Sequence, residues 1–207
     1  YIEYKAYMVP GLLGMVALFN GMQSSLSMVY DREMGVMRLL LTAPLARGWL
    51  LAFKLLAGTC LSVLQMVVFL GISWAFGVEI ALRHVPGLLV AMACGATLLA
   101  ALGLMLSVYV KQLENFAGTM NFVIFPMFFI SPALYPLWKL EESGAVWLLK
   151  LAEFNPFTHA VEAMRFAMYG QFNATSWAVV VVCSIAFFVL ALWGYDPQRG
   201  WIRQKGS

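Results

Sequence analysis

Residues 30–44 read YDREMGVMRLLLTAP, a charged segment between two long hydrophobic stretches. The chain before it is GLLGMVALFNGMQSSLSMV, and the chain beyond it contains LLAFKLLAGTCLSVLQMVVFLGISWAFGV. Four charged residues interrupt this otherwise apolar part of the chain: Asp31, Arg32, Glu33 and Arg38. Their spacing indicates what the interruption does.

On a helix, this segment has a polar face and an apolar face. The polar positions recur at steps of four, three and four, at Asp31, Gly35, Arg38 and Thr42. We expect Asp31 and Glu33 in the first turn, where the helix dipole favours negative charge, and Pro44 at the end, because proline cannot continue the backbone hydrogen bonding. The pattern predicts an amphipathic helix of about three turns at about 31–43, with its polar face available to a partner. A helix that only anchors to lipid headgroups is the alternative.

Composition sets the class of the protein. The 207 residues are 62% hydrophobic and only 11% charged, with a mean hydropathy of +0.82, whereas a soluble domain carries about 25% charged residues. The apolar residues fall in blocks of about 20, the length that a helix needs to cross a bilayer. We therefore predict an all-α polytopic membrane protein, a single transmembrane domain over 1–207 with five spans at about 9–29, 50–77, 87–110, 116–135 and 176–195.

The third predicted span carries small residues at steps of four, broken only by Leu99. They are Gly87, Ala91, Gly95, Gly103 and Ser107. Small residues at this spacing allow helix backbones to approach closely in lipid. The pattern predicts tight packing of this helix within the bundle.

Lysine and arginine are distributed unequally between the links. Eight of the 13 fall on the side that holds residues 30–44 and the C-terminal tail, and five fall on the other side. Cytoplasmic loops are enriched in these residues, so the charged segment and the C-terminus are predicted to be cytoplasmic and the link at about 136–175 outside. The N-terminus is then outside as well, which predicts a further helix before Tyr1.

Three motifs, taken together, resemble the membrane subunit of type-2 ABC exporters. The first is E-x-G at Glu33 and Gly35, followed by LLLTAP and then Lys54 in the next span. The second, FPMFFISPALYPL at residues 125–137, is similar to the proline-flanked aromatic stretch of that family. The third, FNPFTHAVEAMR at residues 154–165, is similar to the N-P…R element of its outer re-entrant region.

The resemblance implies a fold, partners and roles for particular residues. It implies six spans, a homologous second permease and two copies of a separate ATPase that binds ATP and Mg, with no cofactor on this chain. The helix predicted at about 31–43 is then the coupling helix that docks on that ATPase, and coupling is assigned to Asp31, Arg32, Glu33, Gly35, Arg38 and Pro44. The outer gate is assigned to Pro126, Pro132, Pro136, Asn155, Pro156, Glu162 and Arg165. Since the family is mainly prokaryotic, the resemblance favours the cytoplasmic membrane of a prokaryote.

A polar stripe and an aromatic cluster are candidates for the substrate path. The first span carries polar residues at helical spacing, and the fourth carries phenylalanines that could face an apolar path or the dimer partner: Asn20, Gln23, Ser24, Ser27, Phe125 and Phe129. Polar side chains within spans line substrate paths, but they also form hydrogen bonds between helices, and both interpretations stay open. His159 and Glu162 form an H-x-x-E pair, which without a further ligand at matching spacing favours local polar contacts over a metal site.

Other functions are weighed against the same residues. The sequence has no G-x-x-x-x-G-K-[ST] motif, so ATP hydrolysis is expected in another subunit and this chain is not expected to be an enzyme. An ion-coupled secondary transporter would carry an isolated charge deep in a span, and Lys54 lies near a helix end. A non-transporting scaffold is compatible with the composition. The substrate and the choice between homodimer and heterodimer are not encoded in any motif.

Overall fold

The computed structural model describes residues 4–35, 47–78, 81–110, 112–133 and 146–195, and all regular structure in these ranges is helical. The α-helices in these ranges are α1 Tyr4–Glu33, α2 Arg47–Ala75, α3 Val85–Tyr109, α4 Leu113–Phe129, α5 Val146–Phe154, α6 Pro156–Met168 and α7 Ala174–Gly194, with a 3-10 turn at Leu82–His84.

Four helical segments in the described ranges are long and apolar enough to cross a membrane. They are Ala6–Glu33, Gly48–Ala75, Leu82–Tyr109 and Ala174–Gly194. The all-helical membrane fold class is therefore confirmed. With 17 residues, α4 is at the short end of the length that a bilayer requires.

The end of α4 differs from the prediction. A helix was predicted to 135, but α4 ends at Phe129, and a turn follows in which Ile130 N donates to Pro126 O at 3.0 Å. Pro132 explains the early end, because the residue before a proline is disfavoured in the helical conformation. Pro136 lies outside the described residues.

The predicted start of the coupling helix is wrong. Asp31, Arg32 and Glu33 do not open a new helix but form the last turn of α1. Gly35 follows with a φ of +73°, the left-handed conformation with which glycine commonly terminates a helix. Helix α1 continues from its apolar part over the three charged residues and ends at Glu33. A separate coupling helix can therefore begin only after Gly35. Arg38 and Pro44 lie outside the described residues.

Helix α3 forms the centre of the bundle and packs against α1, α2, α6 and α7. Its small residues explain this position. A Cβ on Gly103 would lie 2.6 Å from the Gly21 carbonyl oxygen, and one on Gly21 would lie 2.7 Å from the Leu99 carbonyl carbon. The backbones of α1 and α3 are thus in contact, as the sequence predicted. Gly87 is the exception, since it is exposed and a Cβ there would meet open space.

Substitution of Gly103 by alanine tests this crossing. The added Cβ meets backbone atoms that cannot rotate away, so we expect Gly103→Ala to destabilise the protein by about 1–3 kcal/mol and to lower its Tm. Thermal unfolding in detergent, followed by size-exclusion chromatography, measures the change. Gly87→Ala on the same helix is the matched control and should retain the wild-type Tm; equal Tm values for the two variants would contradict the close crossing.

Candidate functional site

The last turn of α1 carries three consecutive charges, and each contacts a different helix. We call this group, with Lys54, the Glu33 cluster: Asp31, Arg32, Glu33 and Lys54. Asp31 forms an ion pair with Lys54 of α2. The two side chains are 29% and 21% exposed, so water screens the pair only partly. Lys54 therefore has a fixed partner one helix away.

Arg32 binds the C-terminal end of α3. Its Nη2 donates to the carbonyl oxygen of Ser107 at 3.1 Å, and its Nη1 approaches that of Val110 at 3.5 Å. The last carbonyls of a helix lack partners within the helix, and the helix dipole places partial negative charge there. The Arg32 guanidinium supplies hydrogen-bond donors to these carbonyls and a positive charge to the negative end of the helix dipole.

Glu33 binds the N-terminal end of α4. Its Oε1 accepts a hydrogen bond of 2.9 Å from the backbone N–H of Leu113, the first residue of that helix. Gln112, the N-cap residue, forms no capping hydrogen bond with its side chain, whose Oε1 accepts from Asn115 Nδ2 at 2.7 Å instead. Glu33 therefore acts as the cap from a distant part of the chain, with its negative charge at the positive end of the dipole.

These contacts bear on the open polar face that was predicted to begin at Asp31. Asp31 is partly buried against α2 and Arg32 against α3, whereas Glu33 is exposed. The cluster ties the end of α1 to α2 at Lys54, to the end of α3 and to the start of α4. The coupling role assigned to these residues stays a prediction.

A second cluster lies at the other end of α1. We call it the Arg165 cluster: Tyr7, Pro132, Glu162 and Arg165. Arg165 forms an ion pair with Glu162, donates from Nη2 to Pro132 O at 2.6 Å, and lies 4.2 Å from the centre of the Tyr7 ring. Tyr7 Oη donates to the same carbonyl at 3.0 Å. Burial raises the pKa of the adjacent Tyr169 phenol, and the charge of Arg165 opposes that rise.

Asn155 joins α6 to the end of α4. Its Oδ1 accepts from Phe157 N at 3.0 Å and so caps α6, while its Nδ2 donates to Met127 O at 2.7 Å. Pro156 occupies the first position of α6, where its missing N–H costs nothing. Pro126 lines a shallow apolar groove of about 230 Å³ between α4 and α5, together with Ile130, Leu151 and Phe154.

Of the residues predicted for the outer gate, the structure places the six that it describes around the end of α4: Pro126, Pro132, Asn155, Pro156, Glu162 and Arg165. Tyr7 completes the group, although nothing in its sequence context indicated a partner 125 residues away. His159 and Glu162 do not act as a pair, because His159 contacts Glu153 O at 2.8 Å and Glu162 binds Arg165.

The predicted polar stripe of α1 divides into two sets. Asn20 donates to Gln65 of α2 at 2.7 Å, and Ser24 packs against Gly58 of α2. These two residues join helices. Gln23 and Ser27 are exposed on the neighbouring face of α1, where a lipid contact would leave polar groups without water. They remain the candidates for a path.

Helix α4 also carries an exposed aromatic strip. Phe122 is 80% exposed, and the rings of Phe125 and Phe129 stack at 6.2 Å between centres with an angle of 17°. Phe128, one position away, is buried and contacts Phe157 of α6. The helix therefore holds the bundle with one face and exposes aromatic rings on the other.

Comparisons with known proteins all lead to membrane transport permeases. The sequence profile of the family described as ABC-2 type transporter matches residues 2–169. The chain is 26% identical over 212 residues to a protein of Pyropia yezoensis named as a transport permease, ycf38. It is also 26% identical over 196 residues to the daunorubicin resistance ABC transporter permease protein DrrB1 of Streptomyces coeruleorubidus. Over 166 residues it is 27% identical to YbhR of Escherichia coli (strain K12), named as a multidrug ABC transporter permease.

These alignments cover 92%, 92% and 79% of this chain, but only 67%, 66% and 44% of the respective relatives. The chain thus spans about half to two thirds of the length of the relatives it matches. No solved structure matches it.

The two roles of Asn155 give a matched pair of substitutions. Asn155→Asp keeps the cap of α6 but replaces the N–H donor to Met127 with an oxygen, so we expect a loss of about 1–3 kcal/mol of stability. Asn173 caps α7 through Oδ1, with Ser176 N at 3.2 Å, and its Nδ2 has no hydrogen-bond partner among the described residues. Asn173→Asp should therefore leave the Tm near that of the wild type, because Asn and Asp cap equally well. Equal losses in thermal unfolding would show that the contact with Met127 is unimportant.

Proposed function

The chain belongs to the ABC-2 type transporter family and is a transmembrane permease subunit of an ABC transporter, and on that premise we propose that it exports its substrate. Movement is outward, from the cytoplasm or the inner leaflet. The relatives named for daunorubicin resistance and for multidrug transport support this direction. A partner ATPase binds ATP with Mg and hydrolyses the ATP, and this chain binds no cofactor.

The Glu33 cluster is the observation that carries the proposal. In our proposal, residues 36–46 dock on the ATPase with Arg38 at the contact, and Pro44 ends the docking segment. Asp31, Arg32 and Glu33 then transmit its displacement to α2, α3 and α4. In this assignment residues 36–46 dock on the ATPase, and the charges at the end of α1 transmit the motion. The sequence analysis had assigned both tasks to one helix at about 31–43. A permease that responds to a partner needs two conformations that the partner binds differently.

The Arg165 cluster is proposed as the outer gate. Tyr7 and the Glu33 cluster are separated by about 25 residues of α1, or roughly 37 Å. The two ends of α1 can therefore lie at opposite membrane surfaces, with residues 36–46 and the C-terminus cytoplasmic and α5 and α6 outside. The Pro132 carbonyl, held by both Tyr7 and Arg165, fixes the end of α4 against α1 and α6. Its release would free the outer half of α4.

A second permease copy, or a close homologue, completes the proposed transporter together with two ATPase subunits. We place the substrate path between the permeases, along Gln23, Ser27 and the exposed rings of α4. A facing protein surface or an aqueous path explains why Gln23 is exposed at a depth where lipid would leave its amide without hydrogen bonds; the Ser27 hydroxyl is satisfied within α1, where it donates to Ser24 O at 2.7 Å. We count α4 as a further span. The complex is placed in the cytoplasmic membrane of a prokaryote.

Co-purification with the ATPase tests docking. From the native host in mild detergent, we expect the full-length permease to bring down an active ATPase, and Arg38→Glu to reduce the recovered ATPase about tenfold, which corresponds to about 1.4 kcal/mol. Lys150→Glu, an equal charge reversal at an exposed residue of α5, is the control and should recover the wild-type amount. Absence of any ATPase with the wild type would refute the exporter proposal and favour a scaffold or a secondary transporter.

Transmission is tested by a separate variant. Glu33→Gln removes the charge that caps α4 but leaves residues 36–46 unchanged. We expect the ATPase to co-purify normally, while its activity in the reconstituted complex changes several-fold, because a negative charge at a helix N-terminus contributes about 0.3–1 kcal/mol and Gln keeps only the neutral acceptor. Glu153→Gln on α5 should match the wild type in both assays. If Glu33→Gln abolished co-purification while the permease stayed folded, Glu33 would belong to the docking surface instead.

A further inference from the structure

A band of polar side chains crosses the middle of the bundle where α1, α2 and α3 pack against one another. Asn20, Ser62 and Thr97 lie close to the centres of the apolar segments Ala6–Glu33, Gly48–Ala75 and Leu82–Tyr109. Polar groups at such a depth have no bulk water to bind and need partners inside the protein. We call this band the mid-span junction; its members are Asn20 and Ser24 of α1, Thr59, Ser62 and Gln65 of α2, and Thr97 of α3.

Ser62 lies in the seam between α2 and α1, with a contact between the two helices on either side of it. One turn before it, a Cβ on Gly58 would lie 2.7 Å from Ser24 Oγ. One turn after it, Gln65 Oε1 accepts a hydrogen bond of 2.7 Å from Asn20 Nδ2. Residues one turn apart share a helix face, and Ser62 is 0% exposed. Its side chain is therefore enclosed between these two contacts.

The hydroxyl of Ser62 has no hydrogen-bond partner among the described residues. Ser73, on the same helix, donates to Phe69 O at 2.9 Å, the bond that serine forms within a helix to the residue four positions before it. Ser62 does not form the corresponding bond to Gly58, so its hydroxyl is directed away from the backbone of α2 and into the seam. A buried hydroxyl without a partner costs free energy, and a small hydrogen-bonding molecule in the seam would remove that cost.

Helix α1 presents two hydrogen-bond acceptors to the same seam. Asn20 Nδ2 donates to Val16 O at 2.9 Å and to Gln65 Oε1 at 2.7 Å, which leaves Asn20 Oδ1 as an acceptor. The Ser24 hydroxyl donates to Gly21 O at 3.1 Å, so its hydrogen is used and its lone pairs remain. Asn20 and Ser24 are one turn apart, about 6 Å along the helix axis. One bridging oxygen atom with two hydrogen bonds of about 2.8 Å each spans roughly that distance.

Helix α3 leaves room beside Ser62, because its side chains on this side are small. Ala100 Cβ lies 3.8 Å from the position of a Cβ on Gly58, and Thr97 Oγ1 accepts from Thr59 Oγ1 at 3.4 Å. Ala93 lies one turn before Thr97 on the same face. A face of alanine and threonine does not fill the space next to a serine as a leucine would.

We propose that the mid-span junction binds one ordered water molecule, which accepts a hydrogen bond from Ser62 and donates to Asn20 Oδ1 and Ser24 Oγ. Three partners are typical of a buried water molecule. The members of the junction carry no charge, so an ion at this depth would lack a counter-charge and would be costly to desolvate. The water links α1 to α2 through hydrogen bonds that can exchange while the two helices stay packed. This inference is independent of the direction of transport and of the ATPase.

Solid-state NMR of the full-length permease in lipid bilayers detects the water directly. With isotope-labelled serine, the Ser62 Cβ signal is assigned through its neighbours Leu61 and Val63. We expect this signal to show a cross peak at the proton frequency of water, although the side chain is buried at the centre of the membrane. The Ser73 Cβ signal, from a hydroxyl that is bound within its own helix, should show none. Absence of the cross peak at Ser62 would overturn the proposal.

The sign of a Tm change gives a second test. Ser62→Ala removes one partner of the water, and we expect the Tm to fall by about 3 °C or more, because buried polar groups then lose hydrogen bonds. Ser73→Ala is the matched control, and its Tm should stay within about 1 °C of the wild type, since only a bond within one helix is lost. An unchanged or raised Tm for Ser62→Ala would show that its hydroxyl has no partner, because removal of an unpartnered buried hydroxyl is neutral or stabilising.

A double variant tests whether Ser62 and Ser24 share the water. If both bind the same molecule, Ser24→Ala combined with Ser62→Ala should lower the Tm by clearly less than the sum of the two single changes. Ser24→Ala combined with Ser73→Ala should be additive, because these two residues share no partner. Additive changes in both double variants would exclude a water shared by Ser24 and Ser62.

Two other occupants of the junction would give different results. A bound sodium ion would make the Tm of the wild type, but not that of Ser62→Ala, fall when sodium chloride is replaced by choline chloride. A continuous aqueous path would let a membrane-impermeant methanethiosulfonate label Ser62→Cys in a chain whose native cysteines are replaced by alanine. We expect neither effect, and either one would overturn the proposal of a single enclosed water molecule.

Discussion

The contact between the backbones of α1 and α3 fixes the rest of the arrangement. Gly21 and Gly103 allow the two helices to touch at main-chain distance, and this sets the rotation of α1 about its own axis. With Ser25 turned towards α3, Arg32 falls on the same side, two turns further on. Gln23 and Ser27 then point away from the bundle. A larger residue at the crossing would change which side chains of α1 are buried and which are exposed.

Both clusters satisfy free hydrogen-bonding groups at helix ends. Arg32 supplies donors to the end of α3, and Glu33 supplies an acceptor to the start of α4. At the opposite end, Asn155 binds the Met127 carbonyl that α4 leaves free, and Arg165 binds the Pro132 carbonyl in the turn beyond α4. Because these contacts come from distant side chains, each can be broken without breaking a helix.

The same logic separates structure from the candidate path. Side chains at the centre of α1 that find partners on α2, as Asn20 does with Gln65, stabilise the bundle. Exposed side chains such as Gln23 have no hydrogen-bond partner among the described residues. In the sequence, the polar residues of α1 form a single stripe because their spacing is helical throughout. The position of α2 divides them into those that contact α2 and those that stay exposed.

The sequence by itself determined the helical membrane fold, the approximate position of each long apolar helix and the family. Periodicity and composition are local properties, and the prolines and glycines that bound helices act on their own neighbours. It also brought Asn155, Glu162 and Arg165 forward as a group, through a short motif.

Other features were decided only by the tertiary structure. The continuation of α1 through Asp31–Glu33, the pairing of Asp31 with Lys54, and the place of Tyr7 beside Arg165 all depend on how helices pack. Each of these joins residues of different helices, and no local pattern records which ends will meet. The packing of α3 against its neighbours brings those helix ends together. The charged side chains there form ion pairs and hydrogen bonds, because a partly buried charge without a partner costs free energy.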